Sequence, residues 1–124
     1  MKIRMKGNSI RLRLTQSEVR ELGESTSIFE TVDFGSSSFS YGLSIAGETL
    51  AASLDNNKIT VNIPESKALN WINSDDEIGI EGESDLENGG KLHLLVEKDF
   101  VCLTDRPNED ESDNFPKPLA GTKC

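Results

Sequence analysis

Lys2-Ile3-Arg4-Met5-Lys6-Gly7-Asn8-Ser9-Ile10-Arg11-Leu12-Arg13-Leu14 alternates charged and apolar residues on both sides of a Gly-Asn interruption. A period of two is the pattern of strands whose two faces meet different surroundings. Glycine and asparagine tolerate positive φ, so Gly7-Asn8 reads as a two-residue hairpin turn, with a bulge or a bend within one long strand as the other readings. Next, Thr15-Gln16-Ser17-Glu18 has the spacing of a capping box, and Leu14 and Val19 stand at the positions of a hydrophobic staple. The spacing predicts a short helix that Gly23 ends as a left-handed residue. Such a helix is too short to persist alone and must dock its Val19/Leu22 side on a neighbour.

Working outward, strand and turn signals follow one another from Ser27 to Pro64. Ile28 to Phe34 is a strand candidate. Phe39, Tyr41, Leu43 and Ile45 alternate with Ser38, Ser40, Gly42 and Ser44, and the small face they leave suits a closely approaching neighbour. Asn56-Asn57 is a positive-φ turn between Leu50–Leu54 and Ile59–Ile63. Glu65 to Asn73 reads as a second short helix, with Trp71 as a core anchor. Asn88-Gly89-Gly90 marks another turn, and Lys91 to Leu103 is the longest strand candidate. Apolar residues on both of its sides imply a central strand, in which Glu97-Lys98-Asp99 needs partners such as Arg4, Arg11 or Arg13 across the sheet. The expected fold is α+β: a mainly antiparallel β meander with two short helices, open to curling into a partial barrel.

Charge is unevenly placed. The chain has 13 Lys+Arg and 22 Asp+Glu for a net charge of −9, yet residues 1–20 contain six of the basic residues and one of the acidic. Lys2, Arg4, Lys6, Arg11 and Arg13 fall opposite the apolar positions of the first strands. They form either the solvated outer face of a sheet or an anion-binding strip, with Arg4, Arg11 and Arg13 as the residues that touch the anion. Globally the acidic field opposes a polyanion, so nucleic acid ranks below a compact anionic ligand or a protein partner.

A length of 124 residues suits one domain, expected over 1–103. From 104 to 124 clustered acids and prolines predict a loosely ordered tail, which reads as a solubilising terminus, a partner-binding segment anchored by Phe115, an intramolecular cover for the basic strip or a weak divalent-cation site. Cys102 and Cys124 make neither a metal-ligand spacing nor a disulfide framework, and no apolar run suits a bilayer. The expected compartment is therefore the cytoplasm. His93 has no nucleophile motif near it, so the sequence leans away from an enzyme and implies no cofactor and no metal.

Two resemblances add expectations. The run Gly7-Asn8-Ser9, the alternation to Arg13 and the short helix ending Leu22-Gly23 resemble the start of the AbrB-like swapped-hairpin regulators and antitoxins, which implies a homodimer with Arg13 and Arg11 on DNA. Lys6, Thr15 and the residues after Gly23 depart from that pattern. Over its whole length the chain is similar to a family of short bacterial proteins of unknown function, through Lys2-Ile3-Arg4-Met5-Lys6-Gly7-Asn8-Ser9-Ile10-Arg11, Val96-Glu97-Lys98-Asp99-Phe100, Cys102-Leu103, Arg106, Glu109 to Asp113 and Phe115-Pro116. That likeness implies no activity. A further alternative is a phosphate-compound hydrolase with Glu81, Glu83, Glu97 or Asp99 on a metal. It would resemble the tunnel-barrel triphosphate hydrolases, whose opening Glu-x-Glu-x-Lys strand is replaced here by Lys2-Ile3-Arg4-Met5-Lys6.

Overall fold

The computed structural model describes residues 1–100 and 112–116, so the expected tail lies outside the described residues except for its short piece 112–116. The elements are β1 (Lys2–Met5), β2 (Ser9–Leu14), α1 (Gln16–Ser25), β3 (Ser27–Asp33), β4 (Ser38–Ile45), β5 (Ala51–Asp55), β6 (Lys58–Ile63), α2 (Glu65–Asn73), β7 (Gly79–Asp85) and β8 (Lys91–Lys98). They form two four-stranded sheets, sheet A in the order β1-β2-β8-β7 and sheet B in the order β3-β4-β6-β5. The α+β class therefore holds, while the antiparallel meander does not. Each sheet is mixed, because its two central strands run parallel: β2 beside β8, and β4 beside β6. Alternation along a strand reports what its faces meet, not which strand lies beside it, and this is why the meander reading failed.

The pairing repeats. In sheet A, Ile3 faces Leu12, Leu12 faces Val96, and Ile80 faces Val96. In sheet B, Ala52 faces Val61, Val61 faces Leu43, and Ile28 faces Leu43. Every ladder of one sheet thus has a counterpart in the other, and the fold is a ββαββ unit used twice, β1-β2-α1-β3-β4 and β5-β6-α2-β7-β8. Backbone bonds outside the ladders repeat too. Asp99 N donates to Leu14 O as Ala46 N does to Ile63 O, and His93 N donates to Asn8 O as Ser40 N does to Asn57 O. Each half gives one hairpin to each sheet, so neither half has a complete sheet of its own.

One core serves both sheets. Leu12, Leu14, Ile80, Leu94 and Val96 from sheet A meet Ile28, Leu43, Ile59, Val61 and Ile63 from sheet B, with Val19, Leu22, Ala68 and Trp71 from the helices. Equivalent positions trade volume: Leu22 and Val19 of α1 correspond to Trp71 and Ala68 of α2, a larger residue beside a smaller one. Close packing tolerates such exchanges when the total volume is kept.

Local signals at the N-terminus mostly hold. Gly7 has φ 56° and the hairpin turn is present. Leu14 and Val19 are both buried, and the Thr15 N–H donates to Glu18 Oε1 at 2.9 Å, closing the capping box. Gly23 is the exception. The helix runs through it to Ser25, and Thr26 takes the left-handed conformation instead, with φ 64°. Gly23 lies against α2, where a Cβ would stand 3.5 Å from Ile72 Cγ2.

Burial tends to raise the Glu18 pKa, but its bonds to the α-amino group of Met1 and to Thr15 hold it below the usual glutamate value. A carboxyl whose pKa is depressed by folding contributes stability that is present above its unfolded pKa and lost as pH falls through the folded one. Glu18→Gln is therefore expected to cost about 1–2 kcal/mol at neutral pH. It should also flatten the acid limb of the stability curve below the ordinary value of 4.5, as measured by urea unfolding across pH.

Candidate anion-binding face

The outer face of sheet A collects the charges. Alternation turns Ile3, Leu12 and Leu14 inward and sends Lys2, Arg4, Arg11 and Arg13 to the other side. Register then sets Arg4 directly opposite Arg11 and Lys2 opposite Arg13. Beyond β2 the same rows continue through Leu95 to Glu81 and through Glu97 to Gly79. The face therefore runs from a basic edge at β1 to an acidic edge at β7, where Glu81, Glu83 and Asp85 share one side.

Glu97 joins the two arginines of β2. Its Oε1 accepts from Arg11 Nε at 2.6 Å and from Arg13 Nε at 2.9 Å, and it also pairs with Arg11 Nη2. Lys2 Nζ lies 3.1 Å from the buried Asp99 carboxylate. Of the charged cluster, Glu97 is thus paired across the sheet with Arg11 and Arg13 but not Arg4, Asp99 pairs with Lys2, and Lys98 instead donates to Ser74 O at 2.7 Å. Among the described residues Arg4 has no ion-pair partner. The face therefore places four cations side by side against two carboxylates.

Of the remaining candidate residues, Glu81 and Glu83 lie apart from this cluster, while Asp99 meets it only through Lys2. Glu81 and Glu83 lie on β7, with Glu83 Oε1 3.5 Å from His93 Nδ1. Asp99 is turned into the fold, where its N–H donates to Leu14 O. Among the described residues no group of three or more His, Cys, Asp or Glu is arranged to hold a metal, and no helix is long and apolar enough to cross a membrane.

Phe115 packs within the chain. Its N–H donates to Asp99 O at 2.8 Å, its ring lies 5.7 Å from that of Phe100, and Lys98 Nζ stands 5.5 Å from its centre. Just before it, Asp113 accepts from the Ser17 N–H at 3.3 Å and pairs with Ser17 Oγ. These bonds from Ser17, with one from Thr15, hold the Asp113 carboxyl below its usual range. Residues 112–116 therefore lie across the start of α1, at the end of the sheet where Lys2 and Asp99 meet. Gln16 fixes them further, its N–H donating to Asp113 O and its Nε2 to Asn114 O. A serine and a glutamine in a first helical turn, matched to an Asp-Asn pair 96 and 98 residues later, gave no sequence signal.

Because Glu97 has only 14% of its side chain exposed, removing both arginines strands a half-buried carboxylate. Arg11→Ser with Arg13→Ser is expected to cost about 1–2 kcal/mol. Adding Glu97→Gln should recover most of that loss, which a double-mutant cycle in chemical denaturation reads directly.

The chain belongs to the family of unknown function DUF7009, which it matches over residues 1–119. No curated protein and no solved structure matches it.

Proposed function

We propose that the chain is a non-catalytic binding module that takes a compact anionic ligand on the outer face of sheet A, at Arg4, Arg11 and Arg13. The observation that carries this reading is the register of β1 and β2, which opposes Arg4 to Arg11 and Lys2 to Arg13. Like charges directly opposite one another destabilise a sheet, and a surface chosen for stability alone would alternate their signs. An arriving anion relieves that repulsion. Glu97 grips the Nε groups and orients the two guanidinium planes, while the terminal nitrogens of Arg13 and the whole of Arg4 stay uncommitted among the described residues. Planar guanidinium groups suit phosphate oxygens, which accept paired N–H donors.

A second reading has one observation in its favour. Each half of the chain lends a hairpin to the other half's sheet, an exchange of the kind expected of swapped-hairpin DNA-binding regulators. The net charge of −9 weighs against it, since a long polyanion meets the whole field while a compact anion meets only the local patch.

A thermal-shift comparison of inorganic triphosphate, polyphosphate and a short DNA duplex at low and high salt separates the readings. The proposal expects triphosphate to raise Tm in a salt-sensitive way and the Arg11→Ser/Arg13→Ser variant to lose the effect. A shift with the duplex but not with triphosphate would favour DNA. No shift with any of the three would overturn both.

A further inference from the structure

Sheet A ends in β1 on one side and β7 on the other. Both strands run the same way, because β1 is antiparallel to β2, β2 is parallel to β8, and β8 is antiparallel to β7. The ladder bonds decide which backbone groups each edge leaves over. Lys6 N donates to Ser9 O, so the bonds to β2 fall to Lys2, Arg4 and Lys6, and the N–H and C=O of Ile3 and Met5 point to the open edge. On the other side Lys98 N donates to Ile78 O and Leu86 N to Gly90 O, so the groups of Gly79, Glu81, Glu83 and Asp85 point to the open edge. Along the start of that edge, between β7 and α2, runs a solvent-open cavity of about 210 Å3 that Gly79 and Glu81 line.

A free edge is a template for another strand, and charge is the usual guard against pairing. Here the guard acts only between like edges. Two β1 strands side by side would set basic residues against basic ones, and two β7 strands would set acids against acids, both of which destabilise a ladder. An edge of each kind brings opposite signs together.

We propose that copies of this chain associate head to tail, with β1 of one copy running parallel to β7 of the next and continuing sheet A. In a parallel ladder, a residue whose groups point across stands opposite one whose groups point away. Ile3 therefore stands opposite an even-numbered residue of β7, and the outer faces of the two copies join. With Ile3 opposite Gly82, Lys2 meets Glu81, Arg4 meets Glu83 and Lys6 meets Asp85. Met5, 57% exposed although its side chain is on the inward side, comes beside Ser84 and is covered. Such an interface is heterologous, so assembly passes beyond a dimer to a chain or a closed ring. The inference goes beyond the anion site and is separable from it, because Glu83 takes no part in that site.

The test is sedimentation velocity of the full chain from micromolar to millimolar concentration. At about 0.15 M salt, repulsion between charges more than about 8 Å apart is screened while contacting pairs persist. The native chain is expected to form species larger than a dimer, and Arg4→Glu or Glu83→Arg alone to weaken association about tenfold. Mixing the two variants in equal amounts should restore it, since the reversed residues then oppose one another. The mixture has the same mean charge as the native chain, so its recovery cannot come from net charge, and recovery also shows that both variants are folded. The proposal is overturned if the native chain stays monomeric at millimolar concentration, if it stops at a dimer, or if the mixture associates no better than its components.

Discussion

Gly42→Val is expected to lower the melting temperature by about 10 °C or more. Gly42 sits in the middle of β4, opposite Phe29 of β3, whose ring lies over it on the outer face of sheet B. A Cβ at this position would stand 2.1 Å from Ile28 O and 2.4 Å from Phe29 Cδ1. The ring can rotate away, but the carbonyl belongs to the ladder and moves only with the strand. Overpacking of this kind costs about 1–3 kcal/mol, and a clash with backbone belongs at the upper end. At about 4 °C per kcal/mol for a chain of this size the shift follows. Removing the ring with Phe29→Ala should recover part of the loss and leave the part owed to Ile28 O, measured by thermal unfolding of the single and double variants. The equivalent site in sheet A holds Leu95, opposite Glu81 rather than a ring, so the two copies solve the same surface with the bulk on opposite strands.

Trp71→Ala is expected to cost about 3–5 kcal/mol, a large share of the stability of a domain this size. Trp71 is 1% exposed and fills the place that Leu22 occupies in the other copy. Its Nε1–H donates to Ile78 O at 2.9 Å. That carbonyl also accepts from Lys98 N at 3.0 Å, so losing the indole does not leave it unpaired. Trp71→Phe should therefore cost only its lost volume, about 1–2 kcal/mol, with no added penalty for a stranded acceptor. Since Trp71 is the only tryptophan, urea unfolding of both variants has to be followed by far-ultraviolet circular dichroism. A Trp71→Phe loss as large as that of Trp71→Ala would show that the hydrogen bond, not the packing, carries the effect.

What could be read from the sequence divides by range. The hairpin at Gly7-Asn8, the capping box at Thr15 and Glu18, the Asn56-Asn57 turn and α2 were all legible, because each is set by residues within a few positions of one another. The central place of β8 was legible as well, from Leu94 and Val96 on one side and Leu95 on the other. From this followed the expectation that Glu97 needs a cross-strand partner. The parallel neighbours β2 and β8 were not legible, since nothing in the alternation of Arg11 and Leu12 names a strand more than eighty positions away. The repeat was hidden for a related reason. Its conserved feature is burial at matched positions, and Leu12 with Val61, or Leu22 with Trp71, meet that demand with different residues. Gly23 misled because a glycine near a helix end need not be its cap: the helix runs on to Ser25 and Thr26 takes the left-handed conformation instead. Of the candidate site, the strip Arg4, Arg11 and Arg13 was legible as a row. The link through Glu97, and the absence of an ion-pair partner for Arg4 among the described residues, needed the register.

The central claim is that the outer face of sheet A is an anion site held ready by Glu97. The most direct measurement is an NMR titration of the arginine Nε–H resonances with inorganic triphosphate, in the native chain and in Glu97→Gln. The account predicts that the resonances of Arg4, Arg11 and Arg13 move together with one dissociation constant. It predicts that added salt weakens the binding and that Glu97→Gln, which keeps an amide oxygen to accept from the two Nε–H groups but removes the competing negative charge, tightens it. Resonances that stay still at millimolar triphosphate in both proteins would contradict it, and would leave the Arg11–Glu97–Arg13 cluster as an element of the fold alone.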